Sequence, residues 1–485
     1  MKRFLLTVLS LFYWSLYLHA ALFSVKDYGA VGDGIHIDSP SINETILKAS
    51  QSGGGIVVLP QGTYLCYSIH LQSNITLQLQ KGAVIKAAPI DGHGSYDEPE
   101  PNAWSQYQDF GHNHWHNSLI WGESLHHITI EGEGRIDGTG VLAREGGANK
   151  ALALKNCSHV SIRGISILKG GHFAMLLTGV DDLLIEGIDC DTNRDGIDID
   201  CCERVVVRNS RVNTVNDDAI VLKCSYALGR PKPTAHVLIE NCEVSGYDVG
   251  TLIDGRRTTN STKAPDGDGP TGRIKLGTES NGGFYHITIR NCRFNHCRGL
   301  ALESVDGATM KDINVSHLQM NDICNSPIYI RLGNRMRAPE GFPPSKISDI
   351  SISDVSVSDA DSRYACIIAG VEGNPIQHVS ISNLRIQYRG GITLDDVREQ
   401  RGCNPFFIPE ARQSHELGES NYPEPSAHGI QPAWGLSISY AENISFKDIQ
   451  LETVKPDERP WIYQKDTHHI SFSNIIINHQ PYKSK

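Results

Sequence analysis

The sequence lacks an excess of positive charge, a long low-complexity tract and, beyond its first twenty residues, any apolar run long enough to cross a membrane. Its net charge of −11 argues against a general nucleic-acid binder, because that role usually needs a basic face. The net charge does not exclude an anionic sugar polymer as a substrate, but binding one would require positively charged residues within the binding site. With 39% hydrophobic and 20% charged residues among 485, the chain has the composition of an ordered protein with a large core.

The N-terminal residues are typical of a secretory signal peptide. Lys2 and Arg3 precede an apolar run over residues 4–18, and Ala20 and Ala21 follow it. The run is short for a membrane span, so a single anchor is the lesser alternative. We therefore expect cleavage after residues 1–21, one domain over residues 22–485, no membrane span in the mature chain, and a secreted or periplasmic monomer.

Twelve cysteines would permit disulfides in an exported protein. Their placement predicts a different role, because the dipeptide Asn-Cys recurs at one point of a repeated pattern, at Cys157, Cys242 and Cys292. Thiols that face inward in successive repeats form a small apolar stack. Two places could still hold a bridge, the adjacent pair Cys201 and Cys202 and the pair Cys292 and Cys297.

A short repeat of alternating apolar residues runs through the chain. It reads "SHVSIRGISI", "DDLLIEGIDC" and "ERVVVRNSRV", and the residue before the strand moves from His159 to Asp182 and then to Arg204, by 23 and 22 positions. Periods in the twenties are typical of solenoids. Val and Ile in alternation, without the Leu columns of leucine-rich repeats, predict an all-β fold, a right-handed parallel β-helix.

A short helix is predicted to cap the first coil of this solenoid. Ser39 is a suitable N-cap and Pro40 suits the first helical position. The apolar face would be formed by Ile42, Ile46 and Leu47. Residues 53–55, three glycines, would end the helix before the first long strand. Between the strands we expect only loops, of which the longest span residues 88–122, 247–272 and 396–432.

Two acidic motifs, "NRDGIDI" and "NDDAIVLK", place Asp195 22 residues before the pair Asp217 and Asp218. Residues one coil apart are neighbours in a β-helix, so we expect the three carboxylates on one patch of the outer surface, roughly 5 to 10 Å apart. Like charges this close raise at least one pKa, which gives an acid and a base for glycosidic hydrolysis. Two alternatives stay open: turn-forming Asp residues and a Ca²⁺ site.

These motifs resemble the "NTDGID…DD" signature of glycoside hydrolase family 28, the polygalacturonase group. The likeness extends to "DYGAVGDG", "GGGIVVLPQGTY", "ITIEGEGRIDGTG" and "RGLALESVDG". It implies a right-handed parallel β-helix, a pectic polysaccharide substrate, no cofactor and no metal, and inversion of the anomeric centre. By this similarity Asp217 would be the general acid, and Asp195 and Asp218 would activate the water.

The chain departs from the family where the sugar is recognised. Gly272 or Arg273 stands where the family carries a His, and Ala301 and Glu303 stand where its uronate-binding Arg and Lys would be. Glu303 would repel a uronate, so the sugar there is neutral or differently oriented. Alternatively Arg273 and Lys275, one coil earlier, supply the positive charge, unless they are solvated exterior charges. Exo-acting galacturonidase or rhamnogalacturonan hydrolase activity is therefore favoured over plain endo-polygalacturonase activity.

Three functions are compatible with the sequence: a pectic glycoside hydrolase, a β-helix polysaccharide lyase, and a non-catalytic carbohydrate-binding β-helix. A lyase would need an Arg or Lys base, and we expect no clear base inside either acidic motif. In the loop over residues 88–122, Trp104, Tyr107, Trp115 and Trp121 could stack on sugars or pack on the helix. His112, His114 and His116 resemble a metal comb but lack a full tetrahedral ligand set.

Overall fold

The computed structural model describes residues 21–92, 94–144, 148–403 and 417–482. The predicted signal peptide therefore lies almost wholly outside the described residues, and export stays a prediction. The described chain winds into a right-handed parallel β-helix whose 34 strands form one continuous sheet. The predicted fold is confirmed, because each coil pairs in parallel with the coils before and after it.

The coils have three faces. The site face contains Ile69–His70, Ile120–Glu123, Lys150–Lys155, Phe173–Thr178, Asp195–Asp200, Ile220–Cys224, Ile274–Ser280, Leu300–Ser304, Ile328–Leu332 and Cys366–Ala369. The second face contains Leu22–Ser24, Gly55–Leu59, Ile75–Leu79, His126–Gly132, Ser158–Arg163, Asp181–Glu186, Glu203–Arg208, Thr234–Glu240 and Phe284–Arg290. The third face contains Asp33–Ile37, Gly62–Cys66, Ala83–Ala87, Arg135–Asp137, Ser166–Leu168, Asp189–Thr192, Arg211–Thr214, Glu243–Ser245 and Arg293–Cys297.

Later strands are longer and bend from one face to the next. They are Thr309–Ile323, Lys346–Ala360, Ile376–Gly390, Leu436–Lys455 and Ile462–Ile477, and the short antiparallel strand Gln480–Pro481 pairs with the last of them. The polar residue that marks the repeat adopts a left-handed backbone, with φ of 55° at Asp182, 59° at Arg204 and 54° at His236. Asp, Asn and His tolerate this conformation best, which explains why they dominate that column.

The capping helix, Ser39–Gln51, exists as predicted, but its details differ. The N-cap is Asp38 rather than Ser39, because the Asp38 carbonyl accepts the first helical hydrogen bond, from Ile42 N at 3.0 Å. Ile42 and Ile46 are buried, whereas Leu47 is 45% exposed, since it lies one residue further around the helix. The other helical segments are Val25–Tyr28, Ser105–Tyr107, Leu394–Glu399 and Pro425–His428.

The interior of the coils is filled by stacked Val, Ile and Leu side chains. Cys157, Cys242 and Cys292 are all buried in it. Cys242 and Cys292 precede paired strands of the third face and stack as predicted, whereas Cys157 precedes a strand of the second face and lies in a different column. All twelve cysteines lie within the described chain and are free, so neither of the two bridges considered from the sequence is present. None of the helices described here is long and apolar enough to span a bilayer.

Candidate active site

Two adjacent cavities lie on the site face. The first, here called the His112 cavity, measures about 210 Å³ and is walled by Asp109, Phe110 and His112 of the loop 88–122. The second, the Glu424 cavity, measures about 350 Å³ and is walled by residues 264–266 and by Glu424. Both are lined by Arg194, Asp217, Asp218, Lys275 and Tyr422. Asp217 and Asp218 thus lie where the two cavities meet, and Asp195 lines the His112 cavity.

Coil stacking brings the three aspartates together. Ile197 pairs with Ile220 in the sheet, and Gly196 N–H donates to the Asp218 carbonyl at 3.0 Å. One oxygen from each of Asp195, Asp217 and Asp218 lies within 4.8 Å of the others. The predicted convergence is confirmed.

The local register is one residue longer than the sequence spacing suggested. Val205 follows Leu183 by 22 positions on the second face, whereas Val221 follows Asp198 by 23 on the site face. Asp218 therefore stacks on Asp195, and Asp217 belongs to the turn before the strand. This close stacking needs glycine at 196, where a Cβ would lie 2.5 Å from the Ala219 carbonyl oxygen.

The aspartates do not lie on an open outer surface, as the sequence had suggested. Asp195 and Asp218 are each 4% exposed, and only the Asp217 side chain keeps a quarter of its surface accessible. The reason is tertiary, because the long loops stand over this face and turn it into the floor of the two cavities.

Basic side chains balance the three carboxylates. Arg194 pairs with Asp217, while Asp218 accepts from Arg273 Nε at 2.8 Å and lies 3.3 Å from Lys275 Nζ. The expectation that neither acidic motif contains a base was wrong. Arg194 and Lys223 belong to those motifs, and both side chains line the His112 cavity because they turn towards the buried acids.

Burial and charge separate the pKa values of the acids. Burial, followed by the charge of Asp217, raises the pKa of Asp195 well above its ordinary value. Burial would also raise the pKa of Asp218, but Lys275 and Arg273 outweigh it and lower that pKa to about 2. One member of the cluster thus tends to hold a proton while another remains ionised, the division that acid–base catalysis needs.

The predicted substrate-binding residues are buried rather than solvated. Arg273 is 2% exposed and Lys275 3%. Glu303 is fully buried behind Lys275, with 3.5 Å between its Oε2 and the Lys275 Nζ, and it does not line either cavity among the described residues. Glu303 can influence a sugar through Lys275 or through Thr278, which lines the His112 cavity and donates to Glu303 Oε2 at 3.1 Å.

Glu424 was not predicted. Arg273 donates to both of its oxygens, at 3.2 and 2.7 Å, and Arg298 Nη1 lies 3.1 Å from Oε1. Asn325 contacts the same oxygen at 3.3 Å. A protein carboxylate therefore occupies a pocket formed by two guanidinium groups, a geometry well suited to carboxylates in general.

The far wall of the His112 cavity is a second network of buried charges. His112 Nε2 lies 2.7 Å from Asp198 Oδ2, and Lys223 Nζ lies 3.0 Å from that oxygen and 3.4 Å from Glu279 Oε2. Burial and Lys223 lower the pKa of His112, but Glu279 and Asp198 outweigh them and raise it to about 10. The two neighbouring carboxylates therefore favour the charged form of His112.

Three carboxylate-containing groups have the spacing of a metal site: the aspartate cluster, Asp109–His112–Glu279, and His112–Asp195–Asp198. In each group basic side chains already contact the acids, so a divalent cation would have to displace them. The three histidines considered as a metal comb do not converge, because His114 contacts the Glu100 carbonyl and His116 contacts Glu123.

Sequence reasoning missed several lining residues. His112, Tyr422 and Glu424 share only membership of a long loop, and Arg144 lies in the shorter connection between Arg135–Asp137 and Lys150–Lys155. The loop aromatic Trp115 is buried against Phe173, so it packs on the helix rather than facing a sugar. Trp104 packs edge-on against Tyr226.

A family model described as rhamnogalacturonase A/epimerase, pectate lyase-like, matches residues 22–322, which is more than half of the chain. The chain belongs to this family. The resemblance to the polygalacturonase group is confirmed at family level.

Relatives of known description include a probable polygalacturonase of Vitis vinifera, 23% identical over 389 residues that cover 75% of this chain and 74% of that protein. Plasmin and fibronectin-binding protein A of Streptococcus pneumoniae is 34% identical over 177 residues, which cover 34% of this chain and only 23% of that protein. Among solved structures, the family 28 exopolygalacturonase of Yersinia enterocolitica has a TM-score of 0.66 at 16% identity, covering 93% of this chain and 78% of that one. This last similarity supports the fold alone.

Proposed function

We propose that the protein is a glycoside hydrolase that cleaves pectic polysaccharide by inversion. The observation that carries the proposal is the cluster of three carboxylates, of which Asp217 and Asp218 line both cavities, with the pKa values of Asp195 and Asp218 driven apart. A glycosidic bond across the junction of the two cavities would place one sugar in each cavity. Acid and base groups would then flank the bond, as hydrolysis requires.

We assign proton donation to Asp217, because it is the most exposed of the three and lines both cavities. Burial raises the pKa of Asp195, and Asp217 lies close enough to Asp195 to relay the proton that Asp195 holds. That proton passes to the glycosidic oxygen as the bond to the anomeric carbon breaks. Asp218, held ionised, and Asp195 orient the water and accept its proton as its oxygen bonds to the anomeric carbon.

The stereochemistry is proposed from the family resemblance. The carboxylate oxygens here lie within 4.8 Å, closer than the roughly 6.5–9.5 Å of common two-carboxylate inverting sites. A third carboxylate gives the water a second acceptor at this shorter spacing. NMR of the first product tests the assignment: the anomer opposite to that of the substrate is expected, and retention would overturn inversion.

A lyase is the second candidate, because Arg194, Lys223 and Lys275 line the cavity and a lyase needs such a base. All three contact carboxylates, so a neutral base is harder to form, and we favour hydrolysis. Homogalacturonan, rhamnogalacturonan and their oligosaccharides would be incubated with the protein, with and without chelator. New reducing ends that are lost in Asp217→Asn but retained in Asp182→Asn, an exposed aspartate on the second face, support the hydrolase. Unsaturated products that absorb in the ultraviolet contradict it. The absence of any product from every substrate would favour a non-catalytic carbohydrate-binding protein.

A further inference from the structure

The third face contains a groove that is separate from both cavities of the site face. This third-face groove measures about 450 Å³ and extends over the later coils, whose strands bend onto the third face. In successive coils Arg293 pairs with Gln319, Gln319 with Ser356, Ser356 with Arg385 and Arg385 with Gln450. None of the three clustered aspartates lines the groove, so the proposed hydrolysis does not use it.

Short side chains form the floor of the third-face groove. Ser356 and Ser358 are exposed, whereas the coil before them carries the longer Gln319 and the coil after them carries Arg385. These two coils lie roughly 10 Å apart, twice the spacing of neighbouring strands. The floor is therefore a trough that follows the strand direction across the face.

Two arginines that line the groove have positive charge that the protein does not neutralise. Arg293 and Arg385 are exposed, and neither has an acid within ion-pair distance in the described part of the chain. Glu452, the acid that lines the groove, accepts from Gln387 Nε2 at 2.8 Å. A ligand with carboxylates would therefore find two guanidinium groups free for bidentate contacts.

The groove is better suited to a sugar chain than to a peptide. Each strand that lines it is hydrogen-bonded to strands on both sides, so no backbone edge is free to bind a peptide strand. The side chains of Gln319, Ser356 and Gln450 have no hydrogen-bond partner among the described residues and can bind sugar hydroxyls. Arg293 and Arg385 are three coils apart, roughly 14 Å along the axis, so only carboxylates on different sugars of one chain would reach both.

We propose that the third-face groove is a second, non-catalytic binding site for a uronate-bearing polysaccharide chain. The loop 247–272 connects its surroundings to the site face: residues 264–266 wall the Glu424 cavity, while Arg257 contacts Glu243 at 3.3 Å, and Glu243 pairs in the sheet with Arg293. A polymer that follows this loop would contact both places, and the second contact would raise the effective concentration of chain at the aspartates. The inference goes beyond the proposed hydrolysis and rests on it only for the choice of polymer.

Binding of long and short chains of homogalacturonan and rhamnogalacturonan would be measured on Asp217→Asn, which removes turnover. Arg293→Gln/Arg385→Gln should weaken binding of the long chains about tenfold, because two charged contacts and the two-site attachment are lost. The difference should shrink in high salt. The matched control, Arg163→Gln/Arg204→Gln, removes two exposed arginines from the second face. Equal weakening by both double variants, or no binding of either polymer, would overturn the proposal.

A steric change tests the position of the groove without altering its charge. Ser356→Leu fills the floor and should weaken binding of the long chains by about threefold or more. Ser351→Leu places the same side chain on the second-face half of the same strand and should leave binding unchanged. Both serines are exposed, and thermal unfolding would establish that both variants are folded. Unchanged binding in folded Ser356→Leu would overturn the assignment.

Other occupants of the groove give different results. Poly-glutamate that binds as tightly as the polysaccharides would show that the groove recognises charge alone. A dimer that dissociates in Arg293→Gln/Arg385→Gln would show that the face joins two copies of the chain. Either result would overturn the proposal. The proposed hydrolase fails separately: the wild-type protein would then release no reducing ends from short chains, while binding of long chains would still depend on the two arginines.

Discussion

Ion pairs between neighbouring coils occur both on the outer faces of this protein and beneath its loops. The two groups differ in how far their side chains are exposed to water, and therefore in how much each pair affects the free energy of unfolding. On the second and third faces Arg204–Asp182 and Arg211–Asp189 form at 2.6 Å with roughly a third to a half of each side chain exposed. On the site face Arg273–Asp218 forms at 2.8 Å with both side chains almost fully buried. The same stacking rule therefore creates a surface ladder in one place and a buried cluster of charges in another.

The difference teaches that coil spacing alone does not bury a cluster of charges. Exposed pairs contribute about 0–1 kcal/mol because water competes for both charges. Buried pairs have lost that water, so each charge depends on its partner. The loops that cover the site face convert ordinary stacked charges into groups with displaced pKa values.

The largest expected effect on stability comes from removing one partner of the buried ion pairs on the site face. Arg273→Met should lower the free energy of unfolding by about 3–5 kcal/mol, because Asp218 and Glu424 lose a shared partner. Denaturant titration would measure this, with Arg204→Met on the second face as the control. A loss no larger than that of the control would mean that burial does not distinguish the two regions.

Removing a buried acid whose charged form the fold disfavours should change the free energy of unfolding in the opposite direction. Asp195→Asn is expected to raise the free energy of unfolding at pH 7 by about 1–2 kcal/mol, since the folded protein raises the pKa of this carboxyl. Activity should fall by about 10²–10⁴-fold in the same variant, as is usual for loss of an acid–base group. Asp182→Asn should change neither quantity appreciably. A variant both inactive and destabilised would indicate a structural role.

The raised pKa of Glu303 predicts how the stability of the buried region depends on pH. Burial raises its pKa from an ordinary 4.5 to about 7. Between these values the folded protein binds more protons than the unfolded chain, so Glu303 makes stability fall as pH rises through this range. Glu303→Gln should lie close to the wild-type stability near pH 5 and exceed it by roughly 2–3 kcal/mol at pH 8. Parallel stability curves across this range would show that Glu303 does not titrate there.

The smallest effect is expected on the surface ladder. Arg204→Ala should lower the free energy of unfolding by no more than about 1 kcal/mol, and the loss should shrink in high salt. Thermal unfolding at low and high ionic strength would measure it. A salt-independent loss of several kcal/mol would show that the exposed pairs behave like the buried ones.

Much of the fold could be predicted because its periodicity is local. Alternating apolar residues and a polar residue every 22 or 23 positions place each strand beside the next, and the positive φ values at that polar residue are its structural counterpart. Errors arose where one residue of offset matters. Asp38 rather than Ser39 caps the helix, and the extra residue in the turn puts Asp218, not Asp217, above Asp195.

The amino-acid sequence by itself determined that Asp195, Asp217 and Asp218 would meet, since a regular coil converts sequence spacing into distance. Only the tertiary structure decided what surrounds them. Arg273 and Glu424 are 151 residues apart, and Lys223 and His112 are 111 apart. No local pattern records such contacts, because they depend on how long loops fold back over the site face. The meeting of the three carboxylates follows from the repeat, and the buried charges that surround them follow from the loops.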